Sequence, residues 1–155
     1  MAYGLEERQT IFAMATAVGK AAVAIVRVSG PRASKAIELL AGRLPQPRKA
    51  VFRTIRDPEN GEIIDNGLVL WFPGPQSFTG EDSAEFQVHG ARAVVAAMLR
   101  VLGKLKDMRL AEPGEFSRRA LQNGKMDVIA IEALGDLIEA ETEQQRRLAV
   151  LETFG

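Results

Sequence analysis

Arg27 is a charged residue in a place where its charge needs a partner. It lies inside the apolar run at residues 21–28. A guanidinium cannot be neutralised by losing its proton, so burial there requires an anionic group or several acceptors beside it. Three environments are open: a structural salt bridge to a protein carboxylate, an edge position that faces solvent, or a ligand carboxylate or carbonyl that the planar arginine fork binds.

Glu85 is the second candidate, in the middle of a segment that alternates apolar and polar residues over positions 84–89. This period of two predicts a strand with one apolar and one polar face. The polar face is either solvated or a binding surface. In the second case, the Glu85 carboxylate beside the Thr79–Gly80 turn could accept two parallel N–H bonds from a heteroaromatic ring, such as the 2-amino/N3 edge of a pterin.

Lys125 is the third candidate, because it follows Asn123–Gly124 between two predicted helices. Its ammonium group either binds the last carbonyls of the preceding helix or points into the same cavity as Arg27 and Glu85. The sequence alone does not place the three residues together.

Composition excludes several other kinds of site. The chain has 155 residues, 20 basic and 20 acidic, with no cysteine and with His89 as its single histidine. Thiolate chemistry is therefore excluded, a histidine metal centre is disfavoured, and no whole-chain charge points to nucleic acid. The Gly19–Lys20 pair lacks the spacing of a phosphate-binding loop. The pairs Arg118–Arg119 and Arg146–Arg147 are predicted to lie on solvated helix faces. The first residues have no signal-peptide pattern and no apolar run reaches ~18 residues, so we expect a cytoplasmic protein without a membrane span.

The surrounding patterns predict an α+β fold, a mixed five-stranded sheet packed with helices. The apolar run at residues 21–28 is expected to be covered on both faces. A first helix is expected after Pro31 and to end at Pro45 and Pro47. The five predicted strands are 10–16, 21–28, 51–56, 63–72 and 84–89, and the later predicted helices are 93–105, 113–122 and a long C-terminal helix from Asp127.

Several irregular motifs resemble one known family. They are T-A-V-G-K-A-A-V-A-I-V-R-V-S-G-P at 16–31, L-W-F-P-G-P-Q-S-F-T-G-E-D at 70–82, H-G at 89–90, P-G-E-F-S-R-R-A at 113–120 and N-G-K-M-D at 123–127. In this order they are similar to the N-terminal domain of the MnmE/TrmE tRNA-modification GTPases, and the resemblance runs from Thr10 to Gly155. It implies that residues 1–124 are a folate-binding and dimerisation domain and that residues 125–155 begin a central helical domain.

The resemblance also implies ligands and partners. Arg27, Glu85 and Lys125 match the family positions that bind 5-formyl- or 5,10-methylene-tetrahydrofolate near a dimer interface. The full-length family protein is a homodimer that acts with tRNA wobble uridine (U34) and the FAD-dependent partner MnmG/GidA. Its GTP, Mg and K belong to a GTPase domain whose motifs this sequence does not contain.

One departure from the family pattern leaves alternatives open. The turn at residues 16–22 is T-A-V-G-K-A-A, where the family typically has T-P-P-G-R-G-G, so its backbone freedom differs. The chain could then be a dimerisation scaffold that does not bind folate. It could also be a stand-alone folate-dependent one-carbon transferase, with Glu85, Asp82 or His89 as its acid–base group.

Overall fold

The computed structural model describes residues 9–15 and 22–125, together with the helical residues Glu143 and Arg146. Most of the predicted turn at 16–22 and most of the predicted helix from Asp127 lie outside the described residues. The described part contains six strands and three helices in this order: β1 (Thr10–Met14), β2 (Val23–Ser29), α1 (Ala33–Ala41), β3 (Val51–Arg56), β4 (Ile63–Phe72), β5 (Ser83–His89), α2 (Arg92–Gly103), β6 (Met108–Leu110) and α3 (Glu115–Gln122).

The strands form one mixed sheet in the order β3-β4-β5-β2-β1-β6. Neighbours pair antiparallel except β1 and β6, which pair parallel with Thr10 opposite Met108. The α+β class and the mixed sheet are confirmed, but the prediction of five strands was wrong. The sixth strand, β6, has three residues, too few for the period-two pattern by which strands are recognised.

One face of the sheet carries the core. Val26, Val69 and Phe86 on this face are fully buried at 0% exposure, in one cluster with the apolar stripes of α1 and α2. The α2 stripe recurs every three to four residues, at Val95, Met98, Leu99 and Leu102, which places those side chains on one side of the helix. Both helices therefore cover the face from which Val26 and Phe86 project.

In the described part of the chain the opposite face of β2 is partly exposed, whereas the sequence predicted a strand covered on both sides. Val23 is 47% exposed, and Ile25 and Arg27 are half-buried on the same face. An antiparallel strand can be apolar throughout and still have one uncovered face, and its composition does not reveal which case applies. Arg27 thus stands on a partly open apolar surface, where a ligand can reach it.

Most element boundaries agree with the sequence patterns. The β3–β4 hairpin has the predicted limits, and its turn places Gly61 at φ +76°. The first helix, however, ends at Ala41 with Gly42 at φ +85°, before the prolines that were predicted to stop it. Glycine readily adopts this left-handed conformation and commonly ends helices. Among the described residues, no helix is both long and apolar enough to cross a bilayer.

Candidate functional site

Arg27 and Glu85 face each other across two neighbouring strands. They are paired in the antiparallel β2–β5 ladder, so their side chains project from the same face of the sheet. Arg27 Nη2 lies 3.5 Å from Glu85 Oε1, at the outer limit for a hydrogen bond. The two side chains are 27% and 18% exposed, respectively. The structural salt bridge considered for Arg27 is therefore present but long, and both groups keep hydrogen-bonding capacity for a ligand.

A cavity of about 150 Å³ opens beside this pair, lined by Arg27, Phe72, Phe78, Ser83 and Glu85. The guanidinium carbon of Arg27 lies 5.1 Å from the centroid of the Phe78 ring, within the range of cation–π attraction. Two aromatic rings beside a carboxylate suit a flat heteroaromatic group that stacks on a ring and donates hydrogen bonds to the carboxylate. Neither Phe72 nor Phe78 was predicted from the sequence as a cavity wall, although both lie in the motif at 70–82.

Buried hydroxyl groups fix the loop that carries Phe78. Ser29 Oγ lies 2.6 Å from Thr79 Oγ1 and 2.9 Å from Glu81 Oε1. Because Ser29 has a single hydroxyl proton and donates it to the Glu81 carboxylate, Thr79 must be the donor in the other bond. Ser29 and Thr79 are both fully buried. The loop is thereby tied to the end of β2, two residues from Arg27.

Lys125 reaches this loop from the other side. Asn123 Nδ2 donates to the Thr79 carbonyl at 2.8 Å. Gly80 has φ +83°, and a Cβ added there would lie 2.9 Å from Asn123 Cβ and 3.2 Å from Lys125 Cγ. The aliphatic stem of Lys125 therefore packs over the Gly80 backbone, two residues from Phe78. Lys125 is not among the residues that line the cavity, but the structure brings it to the loop that forms one wall.

A buried network of ion pairs joins α3 to the same loop. Arg119 Nη1 lies 3.1 Å from Glu81 Oε1, and its Nη2 donates to the Gln9 carbonyl at 2.9 Å and to Glu115 Oε2 at 3.1 Å. Arg109 donates to both carboxylate oxygens of Glu115 at 2.7 Å. Glu81 is therefore bound by Ser29 on one side and by Arg119 on the other, which locks the loop between β4 and β5 onto α3.

The position of Arg119 corrects the prediction that it lies on a solvated helix face. Its side chain is 4% exposed, whereas that of Arg118 is 47% exposed. The spacing of Glu115 and Arg119, four residues apart on one helix, was the available signal for a pair. Burial alone would raise the pKa of Glu115, but hydrogen bonds from Arg109 and the Glu112 amide, with the charges of Arg119 and Arg109, outweigh it and lower that pKa. The network thus holds an ionised carboxylate in the interior.

The other acid–base candidates do not join the cavity. Asp82 Oδ1 accepts the Gly74 amide at 2.8 Å, which is a structural turn contact. His89 Nδ1 lies 2.9 Å from Asp65 Oδ2, and the same oxygen accepts the His89 amide at 2.8 Å. Burial raises the pKa of Asp65, but these two bonds from His89 and the Asn66 amide lower it overall. Within the described ranges, no group of three or more acidic, histidine or cysteine side chains is arranged to hold a metal ion.

Comparison with known proteins identifies the family. A family model described as "GTP-binding protein TrmE N-terminus" matches residues 10–125, three quarters of the chain. The chain belongs to the TrmE N-terminal family. This confirms the resemblance drawn from the motifs, and the TrmE match covers all three candidate residues.

Relatives of this TrmE-family chain include tRNA modification GTPases named MnmE. One from Beijerinckia indica is 59% identical over 147 residues, covering 95% of this chain and 33% of the relative. One from Phenylobacterium zucineum is 60% identical over 146 residues, covering 94% and 32%, respectively. A mitochondrial 5-taurinomethyluridine-tRNA synthase subunit from Danio rerio is 53% identical over 146 residues, covering 94% and 29%. The chain therefore spans about a third of the length of these curated relatives.

Proposed function

We propose that this chain is the tetrahydrofolate-binding and dimerisation module of a tRNA wobble-uridine (U34) 5-carboxymethylaminomethyl modification GTPase. The observation that carries the proposal is the Arg27–Glu85 pair beside an aromatic-walled cavity on a partly exposed sheet face. Charged groups with spare hydrogen-bonding capacity in such a place favour recognition of a polar ring.

The residues present fit a reduced folate. Glu85 is positioned to accept two N–H bonds from the pterin 2-amino/N3 edge, with the ring against Phe78 or Phe72. Arg27, held over the Phe78 ring, would donate to a carbonyl of the same ring, and Lys125 would bind a more distant acceptor or carboxylate of the ligand. Bound 5-formyl- or 5,10-methylene-tetrahydrofolate would supply the one-carbon unit of the modification.

The size of the cavity supports a second copy of the chain as part of the site. Its volume of about 150 Å³ is below the ~300–1,000 Å³ usual for small-molecule pockets, so the described residues would enclose only one ring of a folate. Beside it, the open face exposes Val23 at 47% and Phe78 at 43%, next to the half-buried Ile25 and Leu70. An apolar face of this kind suits a two-fold symmetric contact, because both copies would contribute the same patch.

The remaining functions belong to the longer relatives. We infer that a parent protein would carry GTP, Mg and K in a GTPase domain, act on tRNA and associate with the FAD-dependent protein MnmG/GidA. The names of the relatives, tRNA modification GTPase among them, support this assignment. A cytoplasmic location is part of the same proposal.

Calorimetric titration with 5-formyl-tetrahydrofolate tests the folate site. Glu85→Gln keeps the shape of the side chain but replaces an anionic acceptor. Hydrogen bonds to charged groups contribute about 1.5–3 kcal/mol, so the affinity should fall roughly 10- to 100-fold. Glu38→Gln, at an exposed position of α1, makes the same chemical change away from the site and should leave the affinity unchanged. Equal binding by wild type and Glu85→Gln would refute the assignment.

Sedimentation separates the folate-free scaffold from the folate-binding module. Val23→Asp puts a charge on the open face and should convert dimers to monomers, whereas Leu39→Asp, on α1 at 37% exposure, should not. A Val23-dependent dimer that does not bind folate would favour the scaffold. Turnover of methylene-tetrahydrofolate by this chain alone would favour a stand-alone transferase.

A further inference from the structure

Positive charge is concentrated at one edge of the sheet, although basic and acidic residues balance over the whole chain. Residues 43–56 contain five cations and no acidic residue, namely Arg43, Arg48, Lys49, Arg53 and Arg56. The segment leads into and forms β3, the edge strand beside β4. An acidic turn, with Asp57, Glu59 and Glu62, follows immediately and bounds the cationic segment on one side.

These five cations are not neutralised by carboxylates in the described part of the chain. Arg48 Nη2 donates to the Gln76 carbonyl at 2.9 Å, and Arg56 Nη1 donates to the Gly61 carbonyl at 2.9 Å. Arg53 Nη1 binds the carbonyls of Ala41 and Arg43, both at 2.8 Å. These bonds to uncharged acceptors orient three guanidinium groups and leave their charge uncompensated.

The remaining two cations and one aromatic ring are freely accessible. Arg43 and Lys49 are exposed. Phe52 is 68% exposed, on the strand face that also carries Arg56, away from the helices. Exposed aromatic rings among cations are the usual combination for binding nucleic-acid strands, in which bases stack while phosphates pair with the cations.

The length of the cationic segment also suits a nucleic-acid strand. Strand β3 has six residues, Val51–Arg56, and at ~3.3 Å per residue its five steps extend over roughly 17 Å. Arg43, Arg48 and Lys49 precede the strand, and Arg48 lies in a turn with φ +63°. At about 3.4 Å per nucleotide along one strand, the length of β3 would follow about five phosphates.

We propose that residues 43–56 form an RNA-binding edge, in which the cations contact the phosphate backbone and Phe52 stacks on an unpaired base. The choice of RNA rests on the proposed function in tRNA modification, and the surface is distinct from the folate cavity. A simpler role for charges on an edge strand is to prevent pairing with the edge of another molecule. In that case, removing the charges should leave the RNA affinity unchanged and promote self-association.

Fluorescence anisotropy with a labelled RNA stem-loop, titrated with the full 155-residue chain at several salt concentrations, tests the proposal. The double variant Arg43→Ala/Lys49→Ala removes the two cations of the segment whose side chains make no described hydrogen bond. Two lost phosphate contacts reduce the slope of log K against log salt by about 1.5, which corresponds to roughly 25- to 60-fold weaker binding at 0.1 M salt. Phe52→Ala should weaken binding to the loop without changing the slope.

The matched control is Arg92→Ala/Lys106→Ala, which removes the same charge from exposed positions outside the segment. It should bind RNA as the wild type does. An equal loss of RNA affinity in both double variants would show that the effect depends only on net charge, and it would overturn the proposal. Unchanged RNA affinity in Arg43→Ala/Lys49→Ala would also overturn the proposal, whether or not sedimentation shows new self-association. Preferential binding of phosphatidylserine vesicles over RNA would overturn it as well.

Titration of the same variants with 5-formyl-tetrahydrofolate keeps the two proposals apart. Arg43→Ala/Lys49→Ala should retain the folate affinity of the wild type, and Glu85→Gln should retain its RNA affinity. If the wild type binds RNA through this edge but binds no folate, the RNA-binding edge stands and the folate site fails.

Discussion

Replacing Gly80 by alanine probes the contact between the loop that carries Phe78 and the residues Asn123 and Lys125. Gly80 has φ +83°, a conformation in which a Cβ lowers the free energy of unfolding by about 1–2 kcal/mol. Alanine also restricts the unfolded chain, which offsets about 0.4–1 kcal/mol of this loss. The added Cβ would lie 2.9 Å from Asn123 Cβ, closer than real Cβ contacts allow, so Asn123 and Lys125 must move. Overpacking of this kind costs about 1–3 kcal/mol more. Gly80→Ala should therefore lower the free energy of unfolding by about 2–4 kcal/mol.

Gly61→Ala is the matched control for backbone strain. Gly61 has φ +76°, and a Cβ there would meet no atom within 4 Å. It should lose only about 0.5–1.5 kcal/mol, so chemical denaturation should separate the two variants by more than 1 kcal/mol. Because the displaced junction carries Lys125, Gly80→Ala should also bind 5-formyl-tetrahydrofolate roughly tenfold or more weakly, while Gly61→Ala binds normally. Equal stability of the two variants would refute the packing of Asn123 and Lys125 over Gly80.

Two further predictions concern the buried ion-pair network. Arg119→Ala should cost about 3 kcal/mol in urea denaturation, because it removes hydrogen bonds to Glu81 and to the buried Glu115, which keeps Arg109 as a partner. Arg118→Ala at an exposed position should cost less than about 1 kcal/mol, and similar losses would contradict the network. Since the folded pKa of Glu115 is lowered from 4.5, its ionisation stabilises the fold above pH 4.5, and that stabilisation is lost as the pH falls through the folded value. The wild type should therefore have a higher free energy of unfolding than Glu115→Gln at neutral pH, and this difference should shrink below pH 4.5. A difference that stays constant from pH 7 to pH 3 would exclude this linkage.

The sequence predicted correctly those helices and strands whose residue pattern lies entirely within a short segment. The β3–β4 hairpin has its predicted limits because two alternating runs flank an Asn60–Gly61 turn, and the turn chemistry fixes the connection. The apolar stripe of α2 was equally clear, since it repeats over three turns. These features depend on neighbours in the sequence and are therefore visible there.

Features that depend on distant partners were not predicted. Strand β6 exists because Met108–Leu110 finds β1, about 100 residues earlier in the chain. Arg119 is buried because Glu81 and Gln9 come from other parts of the fold. The open face of β2 could not be foreseen either, since an apolar run does not say how many of its faces are covered. For the site, the three charged candidates came from the sequence, but the aromatic walls that surround two of them came from the structure.

The place of β1 in the sheet has a consequence for how the chain folds during synthesis. Of the described strands, β1 emerges first, yet all five of its residues are buried, and its outer neighbour is β6. At about 5–20 residues per second, the roughly 100 residues that separate them require about 5–20 s of translation. During that time β1 has one unpaired edge, and the contact between Gln9 and Arg119, 110 residues apart, cannot form. The described fold can therefore be completed only after α3 has left the ribosome, so the contacts that fix the candidate site form after most of the described residues have been synthesised.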